Sequence, residues 1–180
     1  MRVLVKESLD KKTRTLMEIE KSELFEKLNY DNGFHEVICC RDPDAKIRIF
    51  FDYDWNVDFL DEFLKIICEK YQCEKTDWAI SCGTREGKIS YHILSKKFCI
   101  SIRSMIKTIK SMKKECPYID DSIFNIDMFD DLECVFMRFP NQSKDSVNKP
   151  APPMHILQGE LSNFLVTDIN GLINKTDLKS

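Results

Sequence analysis

Two aspartates follow an apolar run at a spacing that could bring their carboxylates together. The run IRIFF, residues 47–51, predicts a buried strand, and Asp52 and Asp54 stand at its end. Side chains two positions apart on a strand point to the same side. Two carboxylates that close repel each other unless a cation lies between them. Mg²⁺ and Mn²⁺ prefer oxygen ligands of this kind, so the pair predicts a divalent-metal site.

A second segment could hold phosphate. The sequence KISYH, residues 88–92, places Lys88, Ser90 and His92 on one side of a predicted strand. An ammonium, a hydroxyl and an imidazole in a row are suitable donors for phosphate oxygens. A half-exposed strand with a polar outer side explains the same pattern, and taken alone it is the more common explanation.

A third segment combines an acid with downstream cations. Arg138 follows Asp127 by eleven residues, and Lys144 lies six residues further on. Asp127 is one of several neighbouring acids, so its charge does not distinguish it. Arg138 stands between Met137 and Phe139, and in such an apolar setting a cation requires an anionic partner. A structural salt bridge explains Arg138 equally well.

These segments lie among predicted strands and helices, which favour an α/β or α+β fold. Strands are predicted over 35–40, 47–53, 78–81, 89–94 and 135–139, and helices over 22–28, 57–71 and 100–114. Ser22 is the predicted N-cap of the first helix. The turn signal at 41–44 predicts a hairpin of the two strands beside it. An outer strand is expected within residues 1–20 and a tail over 171–180.

The helix over 100–114 carries a row of cations. Arg103, Lys107, Lys110 and Lys114 repeat at helical spacing. Such a row can follow the phosphates of a single-stranded template. A solvated helix surface is the more common explanation of the same pattern.

Composition restricts the class of protein. The chain has 180 residues, a net charge of −3 and 43% hydrophobic residues, as expected for a soluble globular domain. No apolar run approaches the ~20 residues of a membrane span, and the apolar segment at the N-terminus is too short for the signal peptide of a secreted protein, so we expect none. The eight cysteines lack zinc-site spacing, so reduced thiols in an intracellular protein are expected. We expect structural roles for His35 and His155, and core positions for Phe50, Phe51 and Trp55.

Together, the order DxD, KxSxH, then Asp with downstream Arg and Lys resembles the archaeo-eukaryotic primase superfamily. The stretches IRIFFDYDWNVDFLDEFLKII, KISYHIL, SIFNIDMFDDLECVFMRFPNQSK and MHILQGELSNFLVTDI are most similar to the primase domain of the primase–helicases of poxviruses and other large DNA viruses. The resemblance covers residues 36–170, so 1–35 would extend the core and 171–180 would lead to a helicase region. It implies mixed sheets with an RRM-like half, packed helices and an active site in the cleft between.

The resemblance also implies an activity and roles for the candidate residues. The family performs template-directed nucleotidyl transfer with Mg²⁺ or Mn²⁺, and makes short primers on single-stranded DNA from nucleoside triphosphates. The implied metal ligands are Asp52, Asp54 and Asp127, and His92 is the further implied catalytic residue. The implied nucleotide-binding residues are Lys88, Ser90, His92, Arg138 and Lys144. The expected setting is viral DNA replication in an infected cell, without a membrane.

Some family features are missing, and two other functions remain open. Asp131 stands where this branch usually has tyrosine, and the chain has neither a zinc element nor a GxxxxGK[ST] loop. One alternative is a catalytically inactive module that binds single-stranded DNA for a replicative helicase. The other is a metal-dependent nuclease, since clustered acids with His and Lys also serve phosphodiester cleavage.

Overall fold

The described part of the chain is an α+β fold with two sheets and three α-helices. The computed structural model describes residues 1–8, 14–30, 33–85, 87–122, 127–129, 132–142 and 153–176. The strands are β1 (Arg2–Ser8), β2 (Arg14–Glu20), β3 (Phe34–Cys39), β4 (Lys46–Trp55), β5 (Trp78–Arg85), β6 (Lys88–Ser101), β7 (Asp127–Phe129), β8 (Leu132–Arg138), β9 (His155–Gln158) and β10 (Ile173–Asn174). The helices are α1 (Lys21–Tyr30), α2 (Leu60–Tyr71) and α3 (Ile102–Met112). No helix in these ranges is long and apolar enough to cross a membrane.

The first sheet has the order β2-β1-β3-β8-β7 and is antiparallel throughout. The segment predicted as one outer strand contains both β1 and β2, which pair with each other. Helix α1 packs on this sheet through Leu24 and Leu28, which share a buried cluster with Val3 and Val5. Helix α1 begins at Lys21, so Ser22 lies in its first turn. The prediction of Ser22 as the N-cap is therefore wrong.

The second sheet is built around the long strand β6. Strands β4 and β5 pair with it antiparallel, β9 extends the sheet beyond β5, and β10 pairs with β6 parallel. Helix α2 covers one side of this sheet, where the rings of Phe51 and Phe63 lie 5.2 Å apart. Phe51 and Tyr53 are fully buried, whereas Asp52 and Asp54 between and after them are partly exposed. The carboxylates therefore lie on the side away from α2.

The predicted hairpin of residues 35–40 and 47–53 is wrong, because β3 and β4 belong to different sheets. Both edges of β3 are occupied, by β1 and by β8. The turn itself is present: the Ala45 amide donates to the Asp42 carbonyl oxygen and the Asp44 amide to the Asp42 side chain. A turn signal shows that the chain changes direction, but it does not specify the partner of the next strand.

A segment near the C-terminal end, residues 165–168, joins the two sheets. Glu36 of β3 is fully buried and accepts hydrogen bonds from the Val166 amide at 2.6 Å and from the amide and hydroxyl of Thr167. Buried Arg48 of β4 donates to the carbonyl oxygens of Leu165 at 3.0 Å and Asp168 at 2.7 Å. Side chains from both sheets thus satisfy the main chain of one connecting segment, and burial raises the pKa of the Glu36 carboxyl.

The predicted C-terminal tail contributes to the second sheet. Ile173 and Asn174 form the short strand β10, in register with Phe98 and Cys99 of β6. The Ser101 amide donates to the Thr176 hydroxyl oxygen at 2.9 Å. Residues 177–180 lie outside the described residues.

Candidate active site

The register of β4 and β6 places the two predicted polar rows opposite each other. Asp52 pairs with His92, and Asp54 pairs with Ser90. Paired residues on neighbouring strands project to the same side of a sheet. Residues two apart on each strand also share a side, so Lys88 joins the same row. The structure therefore brings five of the predicted site residues to one surface.

Contacts between the two rows are polar and partly open to solvent. The oxygens of Asp54 lie 3.3 Å from the Ser90 hydroxyl and 3.4 Å from the Lys88 ammonium. The Nε2 atom of His92 lies 3.7 Å from Oδ1 of Asp52. The side chain of Lys88 is 58% exposed, so it is free to exchange its carboxylate partner for another anion.

His92 is held in its neutral form. Burial and, secondarily, the nearby positive charge of Arg138 lower the pKa of His92 to about 4. At neutral pH its ring therefore has one N–H donor and one acceptor nitrogen rather than a positive charge. Arg138 comes from β8 of the first sheet, so a charge from that sheet acts electrostatically on the His92 row of the second sheet.

Ser81 is a site residue that the sequence interpretation missed. It pairs with His92 from the other neighbour, β5, and so lies on the same side of the sheet. It is fully buried, and its hydroxyl has no hydrogen-bond partner in the described part of the structure. The strand at 78–81 was predicted, but only the register with β6 shows that Ser81 lies beside His92.

The third predicted segment is described only in part. Asp127 begins β7 and pairs with Cys134 at the edge of the first sheet, but its side chain lies outside the described residues. Cys134 precedes Arg138 by four residues, which is about 13 Å along a strand. Lys144 and Asp131 lie outside the described residues altogether. Their roles, and that of Asp127, stay predictions.

The residues of this surface are suitable ligands for a hard divalent cation. Asp52 and Asp54 present carboxylate oxygens on one side of a strand, which is the donor chemistry that Mg²⁺ and Mn²⁺ prefer. Among the described side chains no group of three or more His, Cys, Asp or Glu is arranged to hold a metal ion. Mg²⁺ is commonly held by one or two carboxylates together with waters and phosphates. Asp127 is the third predicted ligand, and its side chain lies outside the described residues.

The first three members of the cationic row lie on the solvent side of α3. Lys114 follows the helix, which ends at Met112 rather than at the predicted residue 114. Arg103, Lys107, Lys110 and Lys114 are all exposed, and Arg103 lies 3.5 Å from Asp44. The Ile102 amide at the start of α3 donates to the carbonyl oxygen of Ala45, just before β4. The chain after α3 returns to the other end of β4.

That return brings the chain after the cationic row to the main chain of the two aspartates. The Asp54 amide donates to the Tyr118 carbonyl oxygen, and the Asp120 amide donates to the Asp52 carbonyl oxygen. The cationic row therefore extends alongside β4 toward the strand end that carries the two aspartates.

Trp55 is not a core residue, contrary to the sequence prediction, whereas Phe50 and Phe51 are fully buried as predicted. Trp55 is 37% exposed because β4 extends beyond α2, which begins only at Leu60. His35 is buried, with Nδ1 3.1 Å from the Gly33 carbonyl oxygen, and His155 is exposed on β9. None of the eight cysteines forms a disulfide in the described part of the structure.

Comparisons with known proteins identify no family. No protein-family model matches the chain, and no curated protein matches it.

Proposed function

We propose that the chain is a DNA primase catalytic domain that performs template-directed, divalent-metal-dependent nucleotidyl transfer. The observation that carries this proposal is the pairing of Asp52 and Asp54 with His92 and Ser90 across β4 and β6. Metal-ligand chemistry and phosphate-binding chemistry thereby share one surface. The motif order that resembles archaeo-eukaryotic primases supplies the reaction class, and the two-sheet α+β fold is compatible with that family's catalytic core.

Asp52, Asp54 and Asp127 are the residues that would hold Mg²⁺ or Mn²⁺. Such ions stabilise charge on the attacking and leaving oxygens of a phosphoryl transfer. In the proposed reaction a 3′-hydroxyl oxygen bonds to the α-phosphorus of a nucleoside triphosphate, the bond from that phosphorus to the bridging oxygen breaks, and pyrophosphate leaves. The hydroxyl proton passes to solvent.

The donor row would bind and orient the triphosphate. Lys88 supplies a mobile positive charge, Ser90 a hydroxyl and neutral His92 an N–H group. Arg138 approaches from the first sheet and can bind two phosphate oxygens at once through its planar guanidinium. Lys144 is the further predicted phosphate ligand. Lys88, Arg138 and Lys144 would neutralise the triphosphate, and Ser90 and His92 would add hydrogen bonds that hold its α-phosphorus for attack.

The exposed cations of α3 are the proposed contacts to single-stranded DNA template, since a strand bound along them leads toward the aspartates. The wider setting follows from the resemblance: priming of viral DNA replication inside an infected cell, with a helicase region as partner.

The test is primer synthesis without a supplied primer. The purified chain is incubated with single-stranded DNA, Mn²⁺ or Mg²⁺ and labelled ribo- or deoxynucleoside triphosphates. Wild type should make short products, and Asp52→Asn/Asp54→Asn should lose more than the ~10–100-fold that removal of an outer-shell metal partner costs. Asp61→Asn/Glu69→Gln is the matched control, because it removes two exposed acids of α2 and should keep full synthesis.

Three other results would contradict the proposal, each in a different way. Synthesis at the wild-type rate by the double aspartate variant would refute the site assignment. Degradation of a labelled oligonucleotide without any extension would indicate a nuclease. Metal-independent DNA binding with neither synthesis nor triphosphate binding would indicate the inactive binding module.

A further inference from the structure

A polar cavity lies on the helix-covered side of the second sheet, away from the aspartates. Its volume is about 300 Å³. The lining residues come from the end of α2, from α3, from β6 and from the segment after β10: Lys70, Tyr71, Gln72, Ile100, Ser104, Thr108 and Lys175. Tyr71, Ile100 and Ser104 are buried and form the floor, whereas Lys70, Gln72 and Lys175 are exposed and form the rim.

The chemistry of this lining is that of an anion site. Two ammonium groups, three hydroxyls and one amide supply hydrogen-bond donors, and no acidic side chain is among the described lining residues. The Tyr71 hydroxyl lies beside Thr108, and burial raises the pKa of Tyr71 to about 12, so this hydroxyl keeps its proton at neutral pH. Charge-assisted hydrogen bonds to phosphate oxygens are the strongest that such groups make.

The main chain around the cavity is fixed in place. The Lys175 amide donates to the Cys99 carbonyl oxygen at 2.8 Å, and the neighbouring strand β10 pairs with β6. Lys70 belongs to the last turn of α2, which ends at Gln72 in the left-handed conformation with φ of 53°. A cation at a helix C-terminus stabilises that helix, which would explain Lys70 alone. The Lys175 ammonium lies 4.8 Å from the centroid of the Phe98 ring, a contact that leaves its N–H donors available to an anion. Neither contact explains the buried hydroxyls.

We propose that this cavity binds the phosphate group of a nucleotide. Its volume is at the lower end of the range for small-molecule pockets, so a phosphate fits together with a small organic group such as a sugar. Ile100 and the Tyr71 ring supply an apolar wall for that group. The phosphate belongs either to a free nucleotide or to the backbone of a nucleic-acid strand that reaches the cavity past the exposed cations of α3. The proposal does not depend on nucleotidyl transfer at the aspartates.

The test is a titration of the full chain followed by amide chemical shifts in NMR, with EDTA present to prevent metal-dependent binding at the aspartates. The probes are inorganic phosphate, adenosine 5′-monophosphate and a short oligothymidylate without a terminal phosphate. At least one probe should shift the amide signals of Lys70, Thr108 and Lys175, and leave those of Ser90 and His92 in place.

Two variants of lining residues and one control variant locate the site. Lys70→Ala/Lys175→Ala should weaken binding at least tenfold, because each lost charge-assisted hydrogen bond contributes strongly to affinity. Lys65→Ala/Lys75→Ala removes two exposed lysines outside the cavity and should bind within twofold of wild type. Thr108→Val keeps the side-chain shape and should bind severalfold more weakly, which separates a lost hydroxyl from a general loss of charge.

The probes distinguish the source of the phosphate. Tighter binding of the mononucleotide supports a free nucleotide as ligand, and tighter binding of the oligothymidylate, with shifts extending along α3, supports a strand. The proposal is overturned if no probe shifts the cavity signals, or if Lys70→Ala/Lys175→Ala binds all three probes as wild type does.

Discussion

At the scale of single residues, alternation along β4 decides which side chains can do chemistry. Asp52 and Asp54 project away from α2, while Phe51 and Tyr53 project toward it. Trp55 lies on the same side of β4 as Phe51, yet it is partly exposed because β4 extends beyond the covering helix α2, which begins at Leu60. Sequence alternation therefore gives the side of the sheet, but the extent of the neighbouring element determines burial.

This difference predicts very different costs for two aromatic substitutions in one strand. Phe51→Ala removes a ring packed against Phe63 and Trp78, and should lower the free energy of unfolding by about 3–5 kcal/mol. Trp55→Ala should cost less, about 1 kcal/mol, because more than a third of that residue is already exposed. Urea denaturation of both variants measures the two values. Equal losses would mean that Trp55 is buried after all.

At the scale of elements, the sequence predicted the existence of β4 from its apolar run. It predicted α2 and α3 because their apolar residues recur at helical spacing. It also predicted that Lys88, Ser90 and His92 share a side, since period-two alternation requires only local geometry. It could not predict that Ser81 lies beside His92, because that contact depends on the register of β5 with β6. The partner of β3 was beyond prediction for the same reason: strand pairing depends on contacts distant in sequence.

The cationic row of α3 gives a prediction at this scale. Lys107→Gln/Lys110→Gln/Lys114→Gln should weaken binding of single-stranded DNA and make it less sensitive to salt. Each lost phosphate contact on a single strand lowers the slope of log K against log salt concentration by about 0.7, so three contacts correspond to about 2. Arg103 is left in place because it already lies 3.5 Å from Asp44. Fluorescence anisotropy at several salt concentrations measures the slope.

A control with the same charge change separates a specific surface from net charge. Lys27→Gln/Lys65→Gln/Lys75→Gln removes three exposed lysines from other elements and should leave the slope nearly unchanged. If both triple variants reduce the slope equally, then the row on α3 is an ordinary solvated helix surface.

At the scale of the whole molecule, the two sheets are joined by side chains that form hydrogen bonds with residues 165–168. Glu36 comes from the first sheet and Arg48 from the second, and both bind the main chain of that segment. The charge of Arg138, from the first sheet, also acts on His92 of the second sheet. The relative position of the two sheets therefore affects the candidate site, so interactions that hold the segment also hold the site.

One of these interactions can be tested by pH. Lys21 of α1 donates to Asp168 at 2.7 Å, 147 positions away in the chain. Burial alone would raise the pKa of Asp168, but the hydrogen bond and charge of Lys21 outweigh it and keep the pKa below its ordinary value of 3.8. A carboxyl group with a lowered pKa stabilises the fold above that ordinary value, and the contribution disappears as the pH falls through the folded-state pKa.

Lys21→Met should therefore lower the free energy of unfolding by about 1 kcal/mol at pH 7, the usual size for a partly exposed ion pair. The difference from wild type should stay constant down to about pH 5 and shrink below about pH 4, where Asp168 becomes protonated. Lys27→Met, on the exposed side of the same helix, should cost little at any pH. Urea denaturation between pH 7 and pH 3 measures all three proteins. A loss in Lys21→Met that is undiminished at pH 3 would mean that Lys21 stabilises the junction of the sheets by packing rather than by its charge.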